Sequence, residues 1–285
     1  MTNRFNKTII KIALKSFTIA SFLMVYSCDP DETQVVTQLD NLVIADEFNV
    51  EGTPDASLWS FEVGDGTAQG IPGWGNNELQ YYTDRPENVT VENGVLVITA
   101  QQEVFEGSNY TSGRLVTKDL FEQQYGRFEA RIRLPYGKGI WPAFWLLGSD
   151  CDENPWPQCG EIDIMEYLGD SPTVVFGTAH GPNFSGEDSI SKEYELENSR
   201  FDTQFHVFGI EWGPDYINYY VDGDLYQTIT PDTVNEETDG AGQWVFNRPF
   251  YIILNIAVGG NLPGSPNAQT VFPQRMFVDY VRVYN

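Results

Sequence analysis

The chain has 285 residues, 41% of them hydrophobic and 20% charged, a globular composition that is long enough for one large domain and unlike a disordered tail. Its 41 acids against 16 lysines and arginines give a formal charge of −25, which excludes nucleic acid and anionic lipid surfaces as partners and makes a sulfated polymer a poor one. A neutral ligand suits that field, and 7 tryptophans and 15 tyrosines supply flat apolar faces of the kind that sugar rings stack on.

The first element is an export signal over residues 1–27. Arg4, Lys7, Lys11 and Lys15 form a basic start, and residues 16–27 are an uncharged, mostly apolar run of 12, too short to span a bilayer. Cys28 follows Val25-Tyr26-Ser27, which resembles a bacterial lipoprotein box whose cysteine is lipidated; the alternative is an ordinary signal peptide that ends near a cysteine. Residues 28–40 are polar and acidic and read as a tether, which leaves 41–285 as the folded domain. The expected place is the cell envelope, at the outer membrane or cell surface, with membrane contact only through the lipid, and the protein is expected to be a monomer.

From residue 41 the pattern is strands. Residues 41–48 open the domain, and the Gly- and Asn-rich stretch 70–83 follows, where Trp74 and Asn76 line a sugar cleft or simply structure a loop. Residues 89–100 read as a hairpin turning at Glu92-Asn93-Gly94, and 112–118 as another strand. In 125–134, Phe128, Ala130, Ile132 and Leu134 alternate with Arg127, Glu129, Arg131 and Arg133, which sets a core face against a solvent face. Trp141 and Trp145 share one face of an extended segment, with Phe144 on the core side. Cys151 and Cys159 bracket a short loop and, in an exported protein, are expected to form a disulfide that presents Trp156 at the loop's tip.

Next comes Glu161-Ile-Asp163-Ile-Met-Glu166. Alternation puts Glu161 and Asp163 on one face and Ile162 and Ile164 on the other, but it would turn Glu166 into the core, where an unpaired carboxylate costs several kcal/mol. One extra residue, a β-bulge near Ile164–Met165, returns Glu166 to the acidic face. Three carboxyls then converge there and split each other's pKa values. A plain acidic solvent face is the other reading of the pattern. Beyond this strand, 173–180 ends in His180, 207–212 is a core strand, and 217–221 turns at Asp222-Gly223. Residues 231–243 read as a surface loop, 250–258 as a central apolar strand with Asn255 aimed at the cleft, and 276–284 as the closing strand. After the signal there is no helix-period stretch of convincing length, no His/Cys metal cluster, no phosphate loop and no serine triad.

The acid motif, with Trp141-Pro-Ala-Phe-Trp145 before it and the segment 73–83 upstream, resembles glycoside hydrolase family 16 in its bulged, laminarinase-like form, over residues 46–284. The strand pattern gives an all-β sandwich, and the resemblance implies a concanavalin-like (lectin-like) jelly roll with a concave substrate cleft. It also implies an endo-acting, retaining hydrolase of β-1,3-glucan such as laminarin, with a neutral β-glucan as partner. In this pattern Glu161 is the nucleophile, Glu166 the acid/base and Asp163 their assistant, and Trp141 and Trp145 flank the sugar. Arg114 and Asn76 read its hydroxyls, and His180 lies near the acid/base. No catalytic cofactor is implied. A structural calcium is, held by Glu47, a Gly94 carbonyl and Asp279. The rival readings are hydrolysis of mixed-linkage β-1,3-1,4-glucan or an algal galactan, and a non-catalytic surface glycan-binding lipoprotein.

Overall fold

The computed structural model describes residues 39–285, so the expected signal, Cys28 and nearly all of the tether lie outside the described residues. In chain order the strands are β1 (Leu42–Asp46), β2 (Ser60–Phe61), β3 (Gln80–Tyr82), β4 (Val89–Glu92), β5 (Val95–Phe105) and β6 (Ser108–Ser112). Then come β7 (Arg114–Val116), β8 (Gly126–Arg133), β9 (Ile140–Gly148), β10 (Glu161–Tyr167), β11 (Val174–His180) and β12 (Ile190–Glu195). The series ends with β13 (His206–Gly213), β14 (Tyr216–Val221), β15 (Asp224–Ile229), β16 (Phe250–Val258) and β17 (Gln274–Tyr284).

These strands make two sheets. One runs β15-β14-β13-β8-β17-β5-β6-β3, with β1 also on β17 and β4 also on β5; the other runs β12-β11-β10-β9-β16-β7-β2. Turn chemistry sets the local register. Asn93 and Gly94 take φ of 54° and 75° between β4 and β5, and Asp222 and Gly223 take 53° and 89° between β14 and β15. Both pairs are two-residue hairpin turns that need positive φ at each position, which Asn, Asp and Gly tolerate.

The core lies between the sheets. Phe128, Ala130 and Ile132 of β8 and Phe208, Ile210 and Trp212 of β13 meet Ile162 and Ile164 of β10 and Ile252, Leu254 and Ile256 of β16. Trp212 anchors it: its ring meets Phe250 and Tyr125 edge-on at centroid distances of 5.1 and 5.3 Å, and its Nε1–H donates to the Phe246 carbonyl. The all-β sandwich expected from the pattern, and the jelly roll that the resemblance implies, agree with the fold observed.

Two elements differ from expectation. The stretch 231–243 contains a helix, α1 (Pro231–Glu237), which is started by a reciprocal cap between Thr230 and Thr233 with Pro231 in the first turn, and which buries Val234. Strand β17 is not an edge; it runs through the middle of its sheet, paired with β8, β5 and β1.

Candidate active site

The outer face of the seven-stranded sheet carries the site. Strand β10 is bulged where the acid pattern requires it. Asp163 pairs with Trp145 and Met165 with Phe144, so Ile164 is the extra residue, and Glu166 then pairs with Ala143. The pairing with β11 shows the same step between Asp163↔Thr178 and Glu166↔Phe176. Ile164 and Met165 both turn into the core, 1% and 0% exposed, and Glu161, Asp163 and Glu166 share the opposite face. Gly160 leads into this strand at φ 80°, a conformation that favours glycine, and a Cβ there would crowd the Phe250 and Val245 side chains at 3.0 Å.

The register brings β11 alongside the acids. His180 lies opposite Glu161, and its Nε2 is 3.6 Å from Glu161 Oε1 and 3.1 Å from Asp163 Oδ2. His180 therefore sits at the Glu161 end of the strand, not beside Glu166 as the resemblance implied. Glu166 has its own partners: Trp141 Nε1–H donates to Oε1 at 3.2 Å and Thr178 Oγ1–H to Oε2 at 3.2 Å. Thr178 is held in turn by Ser191 Oγ at 2.9 Å, and its carbonyl accepts from the Tyr219 hydroxyl.

Burial pushes the Asp163 carboxyl well above the ordinary carboxylate range, and the charges of Glu161 and Glu166 push it further. Burial raises Glu166 as well; His180 opposes this and the Glu161 charge adds to it. Burial alone would lower His180, but the three carboxyls overcome it and lift the imidazole to about 9. In the neutral ring the Gly186 N–H donates to His180 Nδ1 at 3.2 Å, which leaves the ring proton on Nε2, facing the acids; protonating the ring gives up that bond. Burial and neighbouring charge thus bias Asp163 and Glu166 toward their protonated forms, the direction that a general acid requires.

A second cluster lies across β9, β16, β7 and the segment before β3. The guanidinium of Arg114 is sandwiched between the rings of Trp74 (4.4 Å) and Trp145 (4.9 Å) and pairs with Glu62. Trp145 Nε1–H donates to Asn255 Oδ1 at 2.7 Å, and the Asn255 amide donates to the Tyr82 hydroxyl. That hydroxyl donates to Glu78, which also accepts from Gln80 at 2.6 Å. Val116, Tyr251 and Ile253 form a small apolar cluster on this face, packed against Trp145 and Leu147.

Several expected roles change here. Trp74 is buried, donates to the Gly64 carbonyl and acts as a wall behind Arg114 rather than as a cleft surface. Asn255 is 5% exposed and spends both ends of its amide inside the protein. Asn76 is half-buried, and its backbone carbonyl accepts from the Asn261 N–H, beside Gly260, where a Cβ would meet the Trp141 ring at 3.4 Å. Glu78, Tyr82 and Glu62 were not singled out, although Glu78, Gln80 and Tyr82 alternate at i, i+2 and i+4, a period that places them on one face.

Cys151 and Cys159 are joined in a disulfide, as expected. The calcium set is not supported by its side chains. Glu47 takes both arms of Arg282 at 2.7 and 2.9 Å, and Asp279 takes Arg131 at 2.7 Å, so each carboxylate already has a cation and the residues do not fit a bound dication.

The model of glycosyl hydrolases family 16 matches residues 76–282. A β-glucanase from Rhodothermus marinus is 43% identical over 247 residues, covering 85% of this chain and 84% of that protein. The laminarinase catalytic domain from Thermotoga maritima superposes with a TM-score of 0.81 at 52% identity, covering 86% of this chain and 98% of that domain. The endo-β-1,3-glucanase from Pyrococcus furiosus gives 0.82 at 50% identity, covering 86% and 94%.

Proposed function

This chain belongs to glycosyl hydrolases family 16, and from that premise we propose that it is an endo-β-1,3-glucanase that cuts laminarin-type glucan with retention at the anomeric carbon. The observation that carries the reading is the bulge in β10, which sets Glu161, Asp163 and Glu166 on one open face with Glu166 held above its ordinary pKa. In the first step the Glu161 carboxylate attacks the anomeric carbon, the bond to the leaving oxygen breaks, and Glu166 gives that oxygen its proton. In the second step Glu166 takes a proton from water, the water oxygen attacks the same carbon, and the ester bond to Glu161 breaks. Two inversions give retention.

Asp163 is buried between them with its pKa raised, which favours its neutral form and so lowers the repulsion between the two glutamates. The hydrogen bonds from Trp141 and Thr178 hold the Glu166 carboxyl in place for the proton transfer. Trp141 and Trp145 supply faces for the sugar rings, and Arg114 and Asn76 supply polar groups for its hydroxyls. Buried Asn255 acts through Trp145, whose indole it holds.

The test is product analysis on laminarin, mixed-linkage β-1,3-1,4-glucan, agarose and carrageenan. Short oligosaccharides from laminarin support the reading. Release from a galactan alone would keep the acids and overturn the substrate. No release from any of the four would leave the glycan-binding reading, which the presence of all three acids argues against.

The protein is further proposed to act as a monomer, exported by residues 1–27 and anchored at the cell surface through lipid on Cys28, on the strength of the sequence. Replacing Cys28 with alanine is expected to abolish metabolic labelling with palmitate and to release the activity from the membrane fraction.

A further inference from the structure

We propose that Trp156, carried on the disulfide-closed loop between β9 and β10, is the platform for the leaving part of the glucan, the sugar on the far side of the acids from Arg114. The inference rests on the β-glucan reading above and adds to it a residue that decides how the chain is held past the cleavage point.

Trp156 is 46% exposed, an unusual state for the largest apolar side chain. Its ring lies 5.9 Å from the His180 ring, tilted by 50°, and His180 is the residue that touches Glu161 and Asp163. An open aromatic face therefore stands one side chain away from the acids.

The loop holds it there. The Cys151–Cys159 disulfide closes the base of the loop. Asp150 accepts from Asn154 at 2.7 Å and from Arg248, and Lys118 donates to both oxygens of Asp152 at 2.9 and 2.8 Å. The N–H of Gln158 bonds the Pro155 carbonyl, and that of Gly160 bonds the Pro157 carbonyl, on either side of the indole's base. Ties of this number restrict the conformations an exposed ring samples, which is what a preorganised stacking surface needs.

The side follows from the sheet order. Arg114, Asn255 and Trp145 stand on β7, β16 and β9, on one side of β10; His180, with Trp156 against it, stands on β11, on the other. A retaining enzyme holds the glycone through both steps, whereas the leaving chain departs after the first. The side with the larger built set of polar and aromatic groups is thus the glycone's, and the exposed face of Trp156 across the acids belongs to the leaving chain. A β-glucan ring presents C–H bonds to such a face and needs no charged partner there.

The experiment compares laminarin with β-laminaribiosyl fluoride, which has the same glycone but no sugar past the bond, for the wild type, Trp156→Ala and Trp156→Tyr. In the alanine variant kcat/KM on laminarin is expected to fall roughly tenfold, about the value of one well-stacked ring. The fluoride rate and the alkaline limb of the pH profile, which reads Glu166, are expected to stay unchanged, and tyrosine to restore most of the loss. Equal losses on both substrates, no loss on laminarin, or a moved alkaline limb would each overturn the proposal, because they mark a disturbed site or an idle ring. A wild type that hydrolyses the fluoride but not laminarin would overturn the β-glucan reading and the proposal with it.

Discussion

The part proposed for Glu166 in the chemistry rests on where its carboxyl is kept. Burial and the Glu161 charge raise it, and Trp141 and Thr178 occupy one oxygen each. Glu166→Gln keeps the shape and removes the transferable proton, so kcat on laminarin is expected to fall by roughly 10²–10⁴-fold with the melting temperature little changed. The same shifts set a pH dependence of stability. Asp163, Glu166 and His180 all have folded pKa values above their ordinary ones, so the folded cluster binds more protons than the unfolded chain. That stability is complete below the ordinary carboxylate range and is lost as pH rises through the raised values, up to about 9 for His180. Melting temperature is therefore expected to fall as pH rises from 6.5, the ordinary value for histidine, to 9, and Asp163→Asn, measured by calorimetry over that range, is expected to flatten the fall. At this scale the sequence was readable for the three acids, because strand alternation is local. It was not readable for His180, whose neighbour depends on the pairing of Glu161 with His180 across two strands.

At the scale of the element, the bulge is what the acid strand turns on. Without Ile164, Asp163↔Trp145, Met165↔Phe144 and Glu166↔Ala143 would form an unbroken ladder, with the acids at i, i+2 and i+4. Deleting Ile164 is therefore expected to leave Glu166 on the acidic face. The cost is one buried aliphatic side chain, about 2–5 kcal/mol in a denaturant titration. Laminarin hydrolysis should survive better than in Glu166→Gln; a folded deletion variant as inactive as Glu166→Gln would show that the bulge itself sets the distance between the carboxyls. The bulge was legible because the alternative put a carboxylate in the core. The α1 helix was missed because seven residues hold too few turns to show a period, although Thr230-Pro231 and Thr233 carried its cap. The burial of Trp74 was also hidden, since an aromatic residue in a Gly-rich loop has the same local pattern whether it faces solvent or backs Arg114.

Over the whole molecule, 41 acids against 16 bases repel one another in the compact state. Screening is expected to relieve that, so the melting temperature should rise between about 10 mM and 150 mM sodium chloride, as the Debye length falls from about 30 to 8 Å; a flat or falling response would place the repulsion in local pairs instead. The sequence by itself determined the class of fold, the hairpins at Asn93-Gly94 and Asp222-Gly223, the core faces of β8 and β16, and the convergence of Glu161, Asp163 and Glu166. Each of these follows from short-range rules: alternation with period two, positive φ at turns, and the cost of burying an unpaired charge. Only the tertiary structure decided that β17 runs through the middle of its sheet, that Arg114 is clamped between Trp74 and Trp145, and that His180 joins Glu161 and Asp163 with Trp156 beside it. Those contacts join residues far apart in the chain, and strand order, which local patterns do not encode, sets which of them meet.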